Sequence, residues 1–259
     1  MRFRDEWAGP ARRGAFELLR RKWGEVPFTA QGRVHSSQML NLSTAELRER
    51  WGEALIEQSS GENFSIRGWY YALYSDQFRG KRVLDFGSGL GFDTITFARA
   101  GALVDSVDLV RDNLTVTERL AETFGLTNVK TVYLEDLTSL DTLREMYDVI
   151  WCCGSMLHSP FDVVRDESQI LLRHLKPAGR WIELAYPRSR WEREGSLPFE
   201  RWGEKTDGGA PWVEWKDLEK IRKQLAPASF RAVLAFDFHD RDFNWFDLQR
   251  TDSVEALPD

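Results

Sequence analysis

The chain has 259 residues, a formal net charge of −6 and 42% hydrophobic residues. This hydrophobic content argues against a disordered chain and suits one generous domain, or a core domain with additions. The acidic balance argues against a large nucleic-acid surface, which usually leaves a basic footprint. No apolar run approaches the ~20 residues of a membrane span, and the N-terminus lacks the apolar core of a signal peptide. We therefore expect a cytoplasmic protein with neither a nucleic-acid nor a membrane partner.

The first 63 residues precede the strand pattern and predict a helical extension or lid. Ser43 followed by Glu46 is a capping-box pattern, which marks the start of a helix. Apolar spacing predicts the other helices, and Pro27 with Gly32 predicts a loop between them. The predicted helices cover residues 10–23, 43–58 and 64–77, and the predicted loop covers residues 25–40.

The stretch 82–93 organises the rest of the chain: an apolar run, then three glycines, then a helical pattern. Gly87, Gly89 and Gly91 can adopt positive φ and carry no Cβ, so a ligand can approach the backbone closely. The helix that follows points free N–H groups at such a ligand. A dinucleotide fingerprint requires a third glycine where Phe92 stands, which argues against a pyrophosphate site.

Strand and helix patterns alternate after this turn and predict a parallel sheet with helices on both faces. Two β-rich runs close the chain and predict an antiparallel hairpin. The predicted strands cover residues 82–86, 103–109, 129–134, 147–153, 180–185, 229–237 and 243–249. The predicted helices between them cover residues 92–100, 111–124, 140–146, 161–175 and 215–225.

An insertion at 187–214 interrupts this alternation. It is rich in proline, glycine and tryptophan, including Trp191 and Trp202. A long insertion is usually functional or disordered, and the aromatic residues favour function. We expect this segment to cover a substrate.

The pattern D-x-G-x-G-x-G from Asp85, the acid Asp108 after the second strand and the closing hairpin resemble the class I S-adenosylmethionine (SAM) dependent methyltransferases. The resemblance covers residues 64–250. It implies a Rossmann-like α/β fold, a seven-stranded, mostly parallel sheet with a C-terminal antiparallel hairpin. It also implies SAM as cofactor, with the glycine loop accommodating the methionine part.

The size of the chain, its acidity and its aromatic-rich cover favour a small-molecule acceptor over a nucleic acid. A sugar or a natural-product intermediate is among the candidates, methylated on oxygen or nitrogen. The Asn-Pro-Pro-Tyr signature of amino-group methylation on nucleic acid and protein is absent, and residues 152–155 stand in its place. An NAD-dependent oxidoreductase and a non-catalytic SAM-binding protein are the alternatives. A homodimer is one possible assembly.

Cofactor contacts are expected at the ends of the first two strands. Asp85 can order the glycine turn or reach the ammonium of the methionine moiety. Asp108 can accept both ribose hydroxyls, as the acid does in NAD sites, whereas Asp105 lies three residues too early. Leu109 is expected beside the adenine.

Further cofactor contacts are expected after the third and fourth strands. An acid there is expected to accept from the adenine amine, and either Glu135 or Asp136 can fill the role. A backbone carbonyl near Cys153 is expected to meet the methionine amino group. Cys152 and Cys153, the only cysteines, form neither a disulfide framework nor a metal cluster. We expect no metal.

His158 follows the fourth strand and can take a proton near neutral pH, although a capping or core role is equally ordinary for histidine. Glu183 is an acid in an otherwise apolar strand, so we expect it to be paired or functional. We treat both as candidate catalytic residues. The candidate substrate-binding residues are aromatic: Tyr70, Tyr186, Trp191 and Trp202.

Overall fold

The computed structural model describes residues 10–252, with side chains from residue 16 onward. The chain divides into two compact units, the first ending at Ser139 and the second beginning at Leu140. Most of the predicted 251–259 tail and the first nine residues of the predicted extension lie outside the described residues.

The first unit holds a helical N-terminal segment followed by three strands of the central sheet. Its elements are α1 (Pro10–Trp23), β1 (Glu25–Pro27), β2 (Arg33–His35), α2 (Ser36–Leu40), α3 (Thr44–Ser59), α4 (Gly68–Tyr74), β3 (Arg82–Phe86), α5 (Phe92–Arg99), β4 (Leu103–Asp108), α6 (Arg111–Thr123) and β5 (Val129–Tyr133). Strands β3, β4 and β5 pair in parallel, and β1 and β2 pair antiparallel.

The second unit holds the remaining strands and the helices between them. Its elements are β6 (Tyr147–Cys153), α7 (Phe161–Leu172), β7 (Leu175–Ala185), α8 (Arg188–Arg193), α9 (Phe199–Lys205), α10 (Leu218–Leu225), β8 (Phe230–Phe238) and β9 (Phe243–Arg250). Strands β6 and β7 pair in parallel, and β9 pairs antiparallel with both β7 and β8.

The central sheet has seven strands in the order β5-β4-β3-β6-β7-β9-β8. The predicted α/β fold, with a mostly parallel sheet and a C-terminal antiparallel hairpin, is confirmed. No helix within residues 10–252 combines the length and apolarity needed to cross a bilayer.

The N-terminal segment differs from its prediction between residues 25 and 40. Instead of a loop, β1 and β2 form a small hairpin that closes where Phe28 N donates to Gly32 O at 2.9 Å. Val26 and Val34 face each other and are buried. Three-residue strands are too short to show a period, so the sequence pattern missed them.

The predicted helix 64–77 is shorter, because a 3₁₀ turn over Gly61–Ser65 precedes α4. A Cβ on Gly68 would lie 2.1 Å from the carbonyl oxygen of Ser59, so only glycine allows this close approach between α4 and the end of α3. The capping box at the start of α3 is confirmed, with Ser43 Oγ accepting from Glu46 N and Ser43 N donating to Glu46 Oε2.

Two predictions in the second half of the core were wrong in detail. A 3₁₀ helix over Leu137–Thr142 stands where a helix over 140–146 was predicted. Strand β7 begins at Leu175 rather than at residue 180, and it contains Ala178 at a left-handed φ of 57°. The proline and glycine beside Ala178 gave the appearance of a turn between separate elements.

Candidate active site

The glycine turn, residues 87–91, links β3 to α5. Gly87, Gly89 and Gly91 all have positive φ, at 76°, 53° and 71°. A Cβ on Gly91 would lie 2.6 Å from Thr117 Oγ1, so this glycine is required for packing against α6. A Cβ on Gly89 would meet only Val26 Cγ1, at 4.0 Å. The backbone at Gly89 therefore borders space that a side chain would enter.

Asp108 ends β4 and ties the glycine turn to the neighbouring strand. Its Oδ2 accepts from Gly89 N at 2.8 Å, and its Oδ1 accepts from Val110 N at 2.7 Å and from the Asn113 side chain at 3.1 Å. Burial raises the pKa of Asp108 to about 6 against the opposing effect of these hydrogen bonds. The Leu109 backbone adds a further hydrogen bond, so the Asp108 carboxylate organises the backbone at the end of β4 and in the glycine turn.

Asp85 is buried at the end of β3, where its Oδ2 accepts from Thr94 Oγ1 at 2.6 Å. Burial, followed by the nearby charge of Asp93, raises the pKa of Asp85 to about 8. This contact ties the end of β3 to the first turn of α5, and both predicted roles of Asp85 stay predictions.

A buried cluster beside the glycine turn escaped the sequence analysis. Asp93, in the first turn of α5, accepts from Arg67 Nη1 at 2.7 Å and from the Tyr71 hydroxyl at 2.6 Å. Tyr70, a candidate substrate residue, is fully buried in the same cluster, and its hydroxyl accepts from Arg67 Nη1 at 2.9 Å. The sequence signal for this cluster was the acid Asp93 just after the glycine turn. Local spacing does not reveal its partners, because they lie 22–26 residues earlier.

The N-terminal segment contacts the candidate cofactor residues directly. Trp51 Nε1 donates to the Leu90 carbonyl, inside the glycine turn, at 3.0 Å. Ser36 Oγ donates to Asn113 Oδ1, and Asn113 in turn donates to Asp108. These contacts link the N-terminal segment to both the glycine turn and Asp108.

The two acids after β5, Glu135 and Asp136, are more exposed than Asp108. Glu135 is exposed, and its N–H donates to Ser139 Oγ at 3.0 Å. Asp136 accepts from the Thr138 hydroxyl at 2.5 Å and from Thr138 N at 2.8 Å, and these bonds lower the pKa of Asp136. Leu109, next to Asp108, is half-buried.

In the second unit, the loop after β6 carries Cys153, which is half-buried, and His158, which is buried. His158 Nε2 lies 3.0 Å from Asp207 Oδ2. The Tyr186 hydroxyl donates to the same carboxylate, at 2.6 Å from Oδ1 and 2.7 Å from Oδ2. Sequence analysis missed Asp207, because one acid among several in the 187–214 segment carries no local pattern.

Asp207 is held in its ionised form. Burial alone would raise the pKa of this carboxyl group. Hydrogen bonds from His158 and Tyr186, together with the electrostatic effects of His158 and Arg190, outweigh burial and lower the pKa of Asp207 to about 2. The guanidinium of Arg190 lies over the Tyr186 ring, 4.1 Å from its centre.

Glu183 belongs to a buried ionic network within the second unit. It pairs with Lys216, and the two side chains are 0% and 3% exposed. Trp181 Nε1 donates to Glu183 Oε2 at 2.9 Å, and Gln224 Nε2 donates to the same oxygen at 3.1 Å. These partners satisfy a buried charge, which is a structural task.

The tryptophans of the 187–214 segment form a small core of their own. Trp202 is fully buried, and its Nε1 donates to Glu194 at 2.6 Å. Trp191 donates to the Leu197 carbonyl at 2.7 Å and packs against Phe199. Within residues 10–252, no group of three or more His, Cys, Asp or Glu residues is arranged to hold a metal ion.

Comparison with known proteins supports the resemblance to class I SAM-dependent methyltransferases. Residues 83–179 match a family model described as a methyltransferase domain.

Curated relatives of the methyltransferase domain match over part of the chain. A ubiquinone biosynthesis O-methyltransferase of Actinobacillus pleuropneumoniae is 37% identical over 84 residues, 31% of this chain and 36% of the relative. Methyltransferase GfsG of Streptomyces halstedii is 32% identical over 109 residues, 40% of this chain and 37% of the relative. The matched region thus spans little more than a third of these relatives.

Solved structures share the fold over more of the chain. Magnesium protoporphyrin IX methyltransferase from Synechocystis PCC 6803, with bound SAH, superposes with a TM-score of 0.56 at 18% identity, covering 96% of this chain and 98% of that one. A SAM-dependent methyltransferase from Clostridium acetobutylicum superposes with a TM-score of 0.57 at 13% identity, covering 79% and 99%. At these identities the similarity concerns the fold.

Proposed function

We propose that this protein transfers the methyl group of SAM to an oxygen or nitrogen atom of a small-molecule acceptor. The observation that carries the proposal is the bond between Gly89 N and Asp108 Oδ2, which joins a glycine turn at a helix start to a carboxylate at a strand end. In open α/β sheets, ligands bind beyond the carboxyl ends of the strands.

The residues of the first unit fit SAM. Gly89 leaves room for the methionine part against the backbone, and Asp108, bonded to the glycine turn, is the acid that would accept from the ribose hydroxyls. Leu109 and either Glu135 or Asp136 would contact the adenine. In the second unit, the Cys153 backbone would meet the methionine amino group. When bound, SAM supplies an electrophilic methyl group on a sulfonium.

The chain's own contribution to chemistry lies with His158, which we propose takes the proton that the acceptor loses. Its imidazole is already hydrogen-bonded to an ionised carboxylate. Glu183 is not retained as a base, because its oxygens are committed to Lys216, Trp181 and Gln224.

The acceptor is proposed to be a small molecule, with a sugar or a natural-product intermediate among the candidates. One curated relative is named as an O-methyltransferase, which favours oxygen over nitrogen as the methylated atom. We propose that residues 64–250 form the catalytic domain, that 1–63 act as a lid, and that 187–214 supply acceptor specificity through Tyr186, Trp191 and Trp202. Tyr70, a homodimer and a cytoplasmic location stay predictions.

An NAD-dependent oxidoreductase is the less favoured reading. Phe92 occupies the position of the third fingerprint glycine, and its ring stacks on Trp51 with centroids 5.1 Å apart. A pyrophosphate approaching α5 would have to displace this packed ring. The structure around Phe92 therefore favours a ligand without phosphates.

Calorimetric titration tests the cofactor assignment. We expect wild-type protein to bind SAM and its demethylated product, and not NAD. Asp108→Asn should weaken SAM binding by about 2–4 kcal/mol, the cost of a lost charged hydrogen bond in a buried site. Asp112→Asn, on the exposed side of α6, is the matched control. Unchanged SAM affinity in Asp108→Asn would overturn the assignment of Asp108. The non-catalytic alternative is tested by turnover: such a protein would bind SAM yet form no methylated product from a panel of phenols, sugars and amines.

A further inference from the structure

We infer that Asp207 is the positioning residue of this enzyme, holding His158 in the one tautomer whose Nδ1 can take a proton. The inference rests on the proposed function and adds a residue that neither the sequence pattern nor the methyltransferase domain match contains. Asp207 lies 28 residues beyond the end of the matched region at residue 179.

The tautomer follows from the charge of Asp207. An ionised carboxylate only accepts hydrogen bonds, so the hydrogen between Asp207 Oδ2 and His158 Nε2 belongs to Nε2. In neutral imidazole the lone pair is then on Nδ1. After proton uptake, the imidazolium stays paired with the carboxylate, which stabilises the new charge until the proton passes to water.

The backbone around Asp207 is built for this contact. Asp207, Gly208 and Gly209 have consecutive positive φ values of 46°, 63° and 83°. Aspartate is among the few residues other than glycine that tolerate this region, and the two glycines let the chain reverse directly after it. The turn brings the carboxylate to a histidine 49 residues earlier in the chain.

Tyr186 fixes the carboxylate from the other side. Its hydroxyl donates to both Asp207 oxygens, and its ring packs against Trp202, with centroids 6.0 Å apart, and Phe243, at 5.7 Å. The Arg190 guanidinium over the ring adds positive charge near the carboxylate. Asp207 is thus held by a donor that cannot rotate away without disturbing the core of the 187–214 segment.

The test measures the tautomer itself. Long-range ¹H–¹⁵N correlation spectra of the uniformly labelled full chain report which ring nitrogen of each of the four histidines carries hydrogen. His158→Gln assigns the signal. We expect the Nε2–H form for wild-type His158 and a mixture with the Nδ1–H form in Asp207→Ala. Asp207→Asn keeps the shape of the side chain and is used if the alanine variant fails to fold. Glu204→Gln changes an exposed acid of the same segment and is the control, which should leave the His158 signals unchanged.

Turnover supplies the second readout. Asp207→Ala should lower kcat by roughly 10²–10³, as expected for a disturbed general base, with the KM for SAM within about twofold of wild type. An Nδ1–H tautomer in wild-type protein, or an unaltered tautomer in both Asp207 variants, would overturn the inference. A protein that shows the expected tautomer but no methyl transfer would instead refute the proposed function, so the two failures are distinguishable.

Discussion

The indole nitrogen of Trp51 donates a 3.0 Å hydrogen bond to the backbone carbonyl of Leu90, at the centre of the glycine turn. Trp51 belongs to α3 of the N-terminal segment, so the segment that precedes the sheet supports the turn that would hold the cofactor. The Trp51 ring also stacks on Phe92, with the planes 16° apart.

Replacing Trp51 should therefore weaken cofactor binding as well as stability. In Trp51→Phe the ring stacking is kept and the hydrogen bond is lost, which leaves a buried carbonyl unpaired. We expect SAM affinity to fall by about 2–10-fold, the usual worth of one hydrogen bond, as measured by calorimetry. Phe78→Leu removes aromatic volume elsewhere in the same unit and serves as the control. Equal SAM affinity in wild type and Trp51→Phe would show that the indole supports packing alone.

The two neighbouring glycines of the turn should respond differently to alanine. Gly91→Ala places a Cβ 2.6 Å from Thr117 Oγ1 at a φ of 71°, and should destabilise the fold by roughly 2–4 kcal/mol. Gly89→Ala meets nothing closer than 4.0 Å and adds only the strain of its φ. We expect Gly89→Ala to remain folded and to lose at least about tenfold in SAM affinity, because its methyl group enters the ligand space. Urea unfolding and calorimetry on both variants separate the effects; a reversed order of the two stability losses would contradict the geometry.

His158 should matter for turnover and not for cofactor affinity. His158→Gln keeps a hydrogen-bonding side chain that does not titrate near pH 7, and should reduce kcat by roughly 10²–10⁴. SAM affinity should stay within about twofold. His239→Gln, in the turn between β8 and β9, is the matched control. If His158→Gln turns over at the wild-type rate, positioning of the two reactants is sufficient and no base from this loop is needed.

Asp85 should give the fold a specific pH dependence. Its pKa rises from 3.8 in the ordinary range to about 8 in the native protein, through burial and then the charge of Asp93. Between these values the folded protein holds a proton that the unfolded chain has released, so the contribution of Asp85 is full below pH 4 and is lost as the pH rises to 8.

Asp85→Asn removes this titration and keeps an acceptor for Thr94. The stability of the variant relative to wild type should increase by about 2–4 kcal/mol between pH 5 and pH 8, as judged by urea unfolding. Asp76→Asn, whose side chain is 90% exposed, is the control. Parallel stability profiles for wild type and Asp85→Asn would show that Asp85 titrates at its ordinary pKa in the folded protein.

The sheet could be predicted from sequence because each core strand is an apolar run bounded by glycine, proline or a helix start. The boundaries of β3 and β6 agree with prediction, since Gly87 and Gly154 end those strands abruptly. The predicted start of β7 was wrong, because the proline and glycine that flank the left-handed Ala178 resemble a turn in the sequence.

The contacts of the site were less accessible to prediction. Asp108 stands next to a strand end, a position that local spacing reveals. Arg67 and Asp207 reach their partners across 26 and 49 residues, and only the folded chain brings them together. Glu183 was expected to be paired or functional, and it pairs with Lys216, but this partner lies 33 residues later in the chain, where the strand pattern gives no sign of it.

The dyad of His158 and Asp207 joins two parts of the chain that a protein engineer would treat as separate modules. A chimera that replaces residues 187–214 to change the acceptor would also replace the partner of His158. The grafted segment would have to carry an aspartate at the same point of a left-handed turn, or the exchange would alter the imidazole along with the acceptor pocket.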